Sequence, residues 1–163
     1  MKTLILVRHA KSSWDNSFPT DFERPLNERG KHDAPHMAKK LSERKITIDL
    51  FISSPAKRAK KTAEIFMHEF DVKEKNLLTI PALYGASVQV FLEVIADIND
   101  KNDTVALFSH NPGITEFINL LDCYPVYDMP TCGVFALKIK SKKWKDINDA
   151  DKEFLFFDYP KNN

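Results

Sequence analysis

Short, mostly apolar runs alternate with longer amphipathic segments along the chain, and this alternation limits the fold more than any other feature of the sequence. An apolar run without polar alternation is typical of a strand that is buried on both faces of a sheet. Strands are predicted at residues 3–7, 48–53, 77–80, 104–109, 133–139 and 154–157. Such strands need cover on both faces, which the intervening segments can supply.

The intervening segments repeat apolar residues every three or four positions, as helices with one buried face do. Helices are predicted at residues 28–44, 55–70, 87–98 and 111–121. In the last of these, Asn111 is predicted to be the N-cap and Pro112 the first helical residue. Strands that alternate with helices predict a three-layer α/β/α sandwich with a mainly parallel central sheet. With no linker or repeat in the sequence, we expect one domain over residues 1–163.

Length and charge narrow the class of protein. A chain of 163 residues buries roughly 70% of the surface that it exposes when unfolded, which is enough for a core without disulfide or metal support. The 24 basic and 23 acidic side chains leave a net charge of +1, which gives no overall field for nucleic acid or membrane binding. No apolar stretch approaches a membrane span and no export signal is evident at the N-terminus. We therefore expect a cytoplasmic protein that binds neither nucleic acid nor membrane.

Glycine is scarce, and this excludes two common ways of binding phosphate. The chain has four glycines, and the closest pair in sequence is Gly113 and Gly133. P-loops and dinucleotide-binding loops need closely spaced glycines so that backbone N–H groups can surround a phosphate. If the protein binds phosphate, charged side chains must hold it.

Charged and polar residues follow three of the predicted strands directly. Arg8 and His9 come after the first strand, Arg58 lies shortly after the second, and His110 follows the strand at 104–109. Ligands of parallel sheets bind beyond the carboxyl ends of the strands. Two histidines and two arginines are therefore predicted to meet at one edge of the sheet, where they suit a phosphoryl dianion.

These residue types fit phosphoryl transfer. An arginine fork holds two phosphoryl oxygens and stays charged. A neutral histidine can attack phosphorus when its second ring nitrogen donates to a carbonyl. A two-histidine metal site is a weaker interpretation, because no carboxylate or thiol adjoins either histidine, so we expect neither metal nor cofactor. From the residues alone, ordinary surface polar groups remain an alternative.

Four sequence blocks, in order, resemble the histidine phosphatase superfamily, whose fold is phosphoglycerate mutase-like. The blocks are Leu6-Val7-Arg8-His9-Ala10, Arg24-Pro25-Leu26-Asn27-Glu28-Arg29-Gly30, Ser53-Ser54-Pro55 through Arg58 with Thr62-Ala63, and Ser109-His110-Asn111-Pro112-Gly113. The resemblance covers residues 3 to about 137. Its details are most similar to the short SixA-type phosphohistidine phosphatase branch.

The resemblance implies a role for each matching residue. His9 corresponds to the nucleophile, which takes the phosphoryl group as a phosphohistidine intermediate that water then hydrolyses. Arg8, Arg58 and His110 match the positions that clamp the phosphoryl oxygens. Ser12 lies near a polar position that can add a hydrogen bond.

One departure from the superfamily pattern bears on the substrate. Many members place a glutamate general acid where this chain has Gly85. Without an acid an alkoxide leaves poorly, whereas imidazole, with a pKa of ~6.5, leaves readily. This favours phosphohistidine over a sugar phosphate, unless Asp21 or Glu23 from the loop after His9 supplies the proton.

The sequence thus predicts a metal-independent phosphatase. Its substrate would be a phosphohistidine-containing protein or a small phosphorylated compound. The short chain leaves little sequence for a capping insertion, so an open site that admits a protein is expected. Two alternatives stay open: a small-molecule phosphomonoesterase or mutase of the same fold, and a non-catalytic phosphate-binding module.

Overall fold

Six strands and four α-helices make up the described part of the chain, which is residues 1–15 and 20–162 of the computed structural model. The strands are β1 (Lys2–Arg8), β2 (Leu50–Ser53), β3 (Leu78–Thr79), β4 (Thr104–Ser109), β5 (Val134–Ile139) and β6 (Lys152–Asp158). The helices are α1 (Glu28–Ser42), α2 (Lys57–Glu69), α3 (Val88–Ala96) and α4 (Gly113–Leu120). No helix in this part of the chain is long and apolar enough to cross a membrane.

The strands form one sheet in the order β3-β2-β4-β1-β5-β6. The first four of these run parallel, whereas β5 is antiparallel to β1 and to β6. In the register, Arg8 lies opposite Ser109, and Ser53 lies opposite Phe108. The carboxyl ends of β1, β2 and β4 therefore meet at one edge, and the mainly parallel sheet is confirmed.

The central strands are apolar on both faces because each face contributes to a separate core. Leu4 and Leu6 of β1 pack on the side of α3 and α4. Ile5 and Val7 of the same strand pack on the side of α1 and α2. All four side chains are fully buried, as the absence of polar alternation predicts. The three-layer α/β/α sandwich is confirmed.

Several element bounds differ from the sequence-based ones. The strand predicted at 77–80 has only two residues, both exposed at the sheet edge. The helix predicted at 55–70 begins at Lys57, because the Ser54 hydroxyl accepts a hydrogen bond from the Ala56 N–H and forms a turn there. The prediction of Asn111 as N-cap was wrong. Pro112 takes the cap position after a cis peptide bond, and the Asn111 side chain accepts from the Thr115 hydroxyl instead.

The segment after His9 is tied back to the fold on both sides of residues 16–19, which lie outside the described residues. Ser12 forms an isolated antiparallel bridge with Leu26, and residues Asp21–Glu23 form a short 3-10 helix. The Asn27 side chain caps α1 by accepting from the Gly30 N–H at 2.9 Å. This loop is therefore built against the start of α1.

Gly30 allows this close packing, which leads to a prediction. A Cβ atom at this position would stand 2.1 Å from the Lys11 carbonyl oxygen, closer than atoms can approach. We expect Gly30→Ala to destabilise the protein by about 1–3 kcal/mol, the usual cost of overpacking, although alanine favours helices over glycine. Urea denaturation measures the change. The exposed neighbour Lys31 provides a control, since Lys31→Ala should stay within about 0.5 kcal/mol. A stabilised Gly30→Ala protein would contradict the close approach.

Candidate active site

A cavity of about 180 Å³ opens where the carboxyl ends of β1, β2 and β4 meet. Its described lining contains six basic or imidazole side chains, which come from four separate segments of the chain. The lining residues are Arg8, His9, Lys11, Ser12, Trp14, Arg24, Arg58, His110, Asn111 and Thr131. The structure therefore brings together Arg8, His9, Arg58 and His110, as their strand-end positions predict.

His9 is fixed by its own backbone and by one side-chain hydrogen bond. Its N–H donates to the Ser109 carbonyl at 3.1 Å, and its carbonyl accepts from the Cys132 N–H at 3.0 Å. The ring Nδ1 lies 2.7 Å from the Ala10 carbonyl oxygen. A carbonyl can only accept, so Nδ1 carries the hydrogen and Nε2 keeps its lone pair. This is the tautomer that a histidine nucleophile needs.

Burial keeps His9 in the neutral form. Burial, helped by the neighbouring His110, Arg58 and Arg8, lowers the pKa of the imidazole from 6.5 to about 3, although the hydrogen bond to the Ala10 carbonyl acts in the opposite direction. Removing a cation from water is costly, and a second cation nearby adds to the cost. At neutral pH His9 is therefore an uncharged ring with a free Nε2.

His110 is held so that one of its ring nitrogens remains unpaired. Its Nε2 lies 2.8 Å from the Ser54 hydroxyl oxygen, which also accepts from the Ala56 N–H. Ser54 is fully buried, and no other acceptor for its hydroxyl hydrogen is found among the described residues, so donation to Nε2 is the arrangement that satisfies the hydroxyl and places the ring hydrogen of His110 on Nδ1. This Nδ1 is buried and has no hydrogen-bond partner among the described residues. The His9 and His110 ring centroids are 5.2 Å apart.

Arg8 and Arg58 also each have one buried nitrogen without a hydrogen-bond partner among the described residues. Arg8 donates from Nη1 to the Met129 carbonyl at 2.7 Å, and Arg58 donates from Nη1 to the Asp21 carbonyl at 2.7 Å. The Nε atoms of both arginines are buried without a partner, and with Nδ1 of His110 they are the only such buried side-chain atoms in the described part of the chain. Buried polar groups are normally hydrogen-bonded. Three unpaired donors around one cavity fit an anion.

Arg24 also lines the cavity, although it was not among the predicted site residues. It donates from Nη1 to the Ser12 hydroxyl and to the Ser13 carbonyl, both at 2.9 Å. Its guanidinium lies 3.9 Å from the centre of the Trp14 ring, a stacked cation–π contact. Arg24 is the first residue of the second sequence block, and this position in the block could have identified it as a candidate site residue. Ser12 is buried in the wall and is held by this arginine.

Asp21 lies behind two arginines rather than in the cavity lining. Its carboxylate accepts from the Tyr84 hydroxyl at 2.6 Å, from Arg24 Nε at 2.9 Å and from Arg58 Nη2 at 3.0 Å. These hydrogen bonds, with that from Tyr84 contributing most, hold the pKa of the carboxyl far below its usual range. A general acid must carry a proton. The environment of Asp21 therefore disfavours the proton-donor role predicted for it.

The other expected sources of an acid are also absent from the cavity wall. Glu23 is exposed and accepts a hydrogen bond from the Thr20 hydroxyl at 3.1 Å. Gly85 has φ +70°, and a Cβ there would meet no heavy atom within 4 Å, so the space for a side chain is open. None of the ten described lining residues is a carboxylic acid. In the described part of the chain, no three His, Cys, Asp or Glu residues are grouped to hold a metal ion.

Comparisons with known proteins agree with this geometry. The sequence profile of the histidine phosphatase superfamily (branch 1) matches residues 4–83, which contain Arg8, His9 and Arg58. The crystal structure of a candidate phosphohistidine phosphatase SixA from Agrobacterium tumefaciens is 26% identical, covers 98% of each chain and superposes with a TM-score of 0.79. The chain belongs to the histidine phosphatase superfamily. Its similarity to a SixA structure over nearly the whole length confirms the predicted SixA-type resemblance.

Other relatives match in different ways. An uncharacterized chloroplastic protein of Arabidopsis thaliana is 29% identical over 153 residues, which are 89% of this chain and 70% of the plant protein. A 2,3-bisphosphoglycerate-dependent phosphoglycerate mutase of Bartonella henselae is 33% identical over 84 residues. That match covers only 50% of this chain and 41% of the mutase. The fold is also shared with the protein histidine phosphatase SixA complexed with tungstate, at 20% identity and a TM-score of 0.82.

The lowered pKa of His9 predicts how stability depends on pH. An unfolded His9 binds a proton below pH 6.5, whereas the folded one binds it only near pH 3. Stability is therefore fully present above pH 6.5 and is lost as the pH falls through this window, by about 1.4 kcal/mol per pH unit for one such group. Urea denaturation at several pH values should show a shallower slope for His9→Gln than for the wild-type protein. Equal slopes would show that burial does not hold His9 neutral.

Proposed function

We propose that this protein is a phosphatase that hydrolyses phosphohistidine on a partner protein through a covalent intermediate on His9, without a metal ion. The observation that carries the proposal is the set of three buried, unpaired N–H donors on Arg8, Arg58 and His110. Leaving such donors unpaired costs stability. A phosphoryl group with three equatorial oxygens would satisfy them and would be stabilised by them in the transition state.

The chemistry follows from the tautomers. Nε2 of His9 attacks phosphorus, the bond from phosphorus to the substrate nitrogen breaks, and the substrate imidazole, which carries a proton on its other ring nitrogen, leaves as a neutral ring. The Nδ1–H bond to the Ala10 carbonyl stabilises the positive charge that His9 acquires when Nε2 is phosphorylated. Water then attacks the phosphorus, the His9–phosphorus bond breaks, and inorganic phosphate is released. In both steps the oxygens of the transferred phosphoryl group are bound by Arg8, Arg58 and His110.

The lack of an acid supports a phosphohistidine substrate. None of the ten described lining residues can protonate an alkoxide as a carboxylic acid would. Imidazole, whose protonated form has a pKa of about 6.5, leaves as a neutral ring when the second ring nitrogen of phosphohistidine is protonated, a proton that solvent supplies without an acid in the cavity. The match to a phosphoglycerate mutase keeps a small phosphate ester as the second candidate. The tungstate complex of the structurally similar SixA shows that such a fold can hold a tetrahedral oxyanion.

The covalent intermediate gives the first test of this function. Brief incubation with ³²P-phosphoramidate, followed by quenching in alkali, should leave label on the wild-type protein because phosphohistidine survives alkali. His9→Ala should retain no label. His32→Ala removes an exposed histidine of α1 and should be labelled like the wild type. Equal labelling of His9→Ala would mean that another residue is the nucleophile.

A second test separates two roles for Asp21. We propose that its carboxylate positions Arg58 and Arg24 and donates no proton. Asp21→Asn should then raise KM for phosphohistidine about tenfold, because charge-assisted contacts to both arginines are lost. The value of kcat should change little. Loss of a general acid would instead lower kcat by about 10²- to 10⁴-fold and remove the alkaline limb of the pH profile. Steady-state kinetics with phosphohistidine and glycerol phosphate distinguish the two. Glu23→Gln is the matched control and should behave as the wild type.

A further inference from the structure

We call the cavity of about 180 Å³ that contains His9 the phosphate cavity. A second and larger cavity lies beside it and has a different lining. Its volume is about 480 Å³, and its lining combines two apolar residues, four lysines and one glutamate. The lining is Pro25, Leu26, Lys31, Lys57, Lys60, Lys61 and Glu64. We call it the lysine groove. The four lysines are exposed, whereas Leu26 is buried at the base.

The lysines of the groove have few partners of their own. Lys31 lies 3.4 Å from Glu28, which is a weak, exposed pair. Among the described residues, Lys57, Lys60 and Lys61 form no ion pair within 4.0 Å. Four cations around one groove repel one another, and the two nearby carboxylates, Glu64 and Glu28, offset only part of that repulsion. The groove is therefore complementary to a negatively charged surface.

Three lysines of the groove lie near the N-terminus of α2, where positive charge destabilises a helix. They are Lys57, Lys60 and Lys61. The first turn of α2 contains no acidic residue, and its N-cap, Ala56, makes no side-chain capping bond. Positive charges near a helix N-terminus are unfavourable because the helix dipole is positive there. Capping by serine, threonine, aspartate or asparagine is the usual stabilising choice. The sequence thus places lysines where stability alone would disfavour them, which points to binding.

The groove also adjoins the phosphate cavity through two shared segments. Lys57 directly precedes Arg58, which lines the phosphate cavity. Leu26 of the groove pairs with Ser12, which lies in the wall of that cavity. A segment lying in the groove would therefore run up to the site at which phosphate is bound.

We infer that the lysine groove binds an acidic segment of the protein that carries the phosphohistidine, an inference that rests on the proposed function. Carboxylates of this segment face Lys31, Lys57, Lys60 and Lys61, and its apolar side chains contact Pro25 and Leu26. The groove selects the substrate protein by charge, because opposite charges speed encounter and fix the docking register. The phosphate cavity then performs the same chemistry on any phosphohistidine that reaches it.

The test compares two synthetic helical peptides, each with one chemically phosphorylated histidine. One carries several glutamates on the face beside that histidine, and the other carries glutamines at those positions. The wild-type protein should prefer the glutamate peptide in kcat/KM by about tenfold at low salt, within the range of electrostatic steering. Added salt should reduce this preference. Lys60→Glu/Lys61→Glu should abolish it and leave turnover of free phosphohistidine unchanged.

The matched control is Lys142→Glu/Lys143→Glu, which changes the net charge equally. Both residues are exposed and follow β5 at the opposite end of the sheet, since Ile139 pairs with Lys2. This control should keep the preference for the glutamate peptide. Equal turnover of both peptides by the wild type, or an equal loss in the control, would overturn the inference while leaving the phosphatase function standing.

Binding of the unphosphorylated glutamate peptide, followed by fluorescence anisotropy, separates the groove from the chemistry. If no phosphohistidine substrate is turned over, the proposed function fails. Binding that depends on Lys60 and Lys61 would still support the groove, and its absence would overturn the groove as well. Tighter binding of a single-stranded DNA oligonucleotide than of the peptide would assign the lysines to nucleic acid and overturn the inference.

Discussion

The parallel pairing of β1 with β4 is the interaction on which the site depends. It sets Arg8 opposite Ser109 and so brings His9 next to His110, which lies about a hundred residues further along the chain. The His9 N–H bond to the Ser109 carbonyl continues the ladder past the strand end. Because both strands are buried on two faces, a shift in register would move every apolar side chain into the wrong core. The cores therefore fix the geometry of the site.

Most of the fold and four site residues could be predicted from the sequence, since both depend on patterns that are local in the chain. Apolar runs and helical spacing identify elements, and the strand-end rule then places Arg8, His9, Arg58 and His110 together. The strand at 77–80 was predicted too long because edge pairing there depends on a single neighbour. The start of α4 was predicted incorrectly because the Asn111 side chain accepts from the Thr115 hydroxyl and donates to the distant Asp128 instead of capping the helix.

The role of Asp21 could not be predicted for a different reason. Its proximity to His9 in sequence indicates a carboxyl group near the site, but the state of that group depends on Tyr84 and Arg58, which come from distant segments. Opposite charges and hydrogen bonds to the charged form favour the carboxylate. The sequence shows that a carboxyl group is present at position 21. Whether that group carries a proton depends on the residues that the fold places next to it.

The buried cations connect the cavity to the choice of substrate. Arg8 and Arg58 are held close together in low dielectric, and burial lowers the pKa of Arg8 below its ordinary value. Arginine nevertheless stays charged, so the cavity has a positive potential, and His9 and His110 add no charge at neutral pH because burial is the main cause that lowers their pKa values to about 3 and about 4. The Tyr84 hydroxyl, together with the guanidinium groups of Arg58 and Arg24, keeps the nearby Asp21 carboxyl group ionised, so it is not available as a proton donor. A cavity built this way suits a phosphoryl dianion and offers no carboxylic acid to a leaving group among its described lining residues, which agrees with the proposed imidazole leaving group.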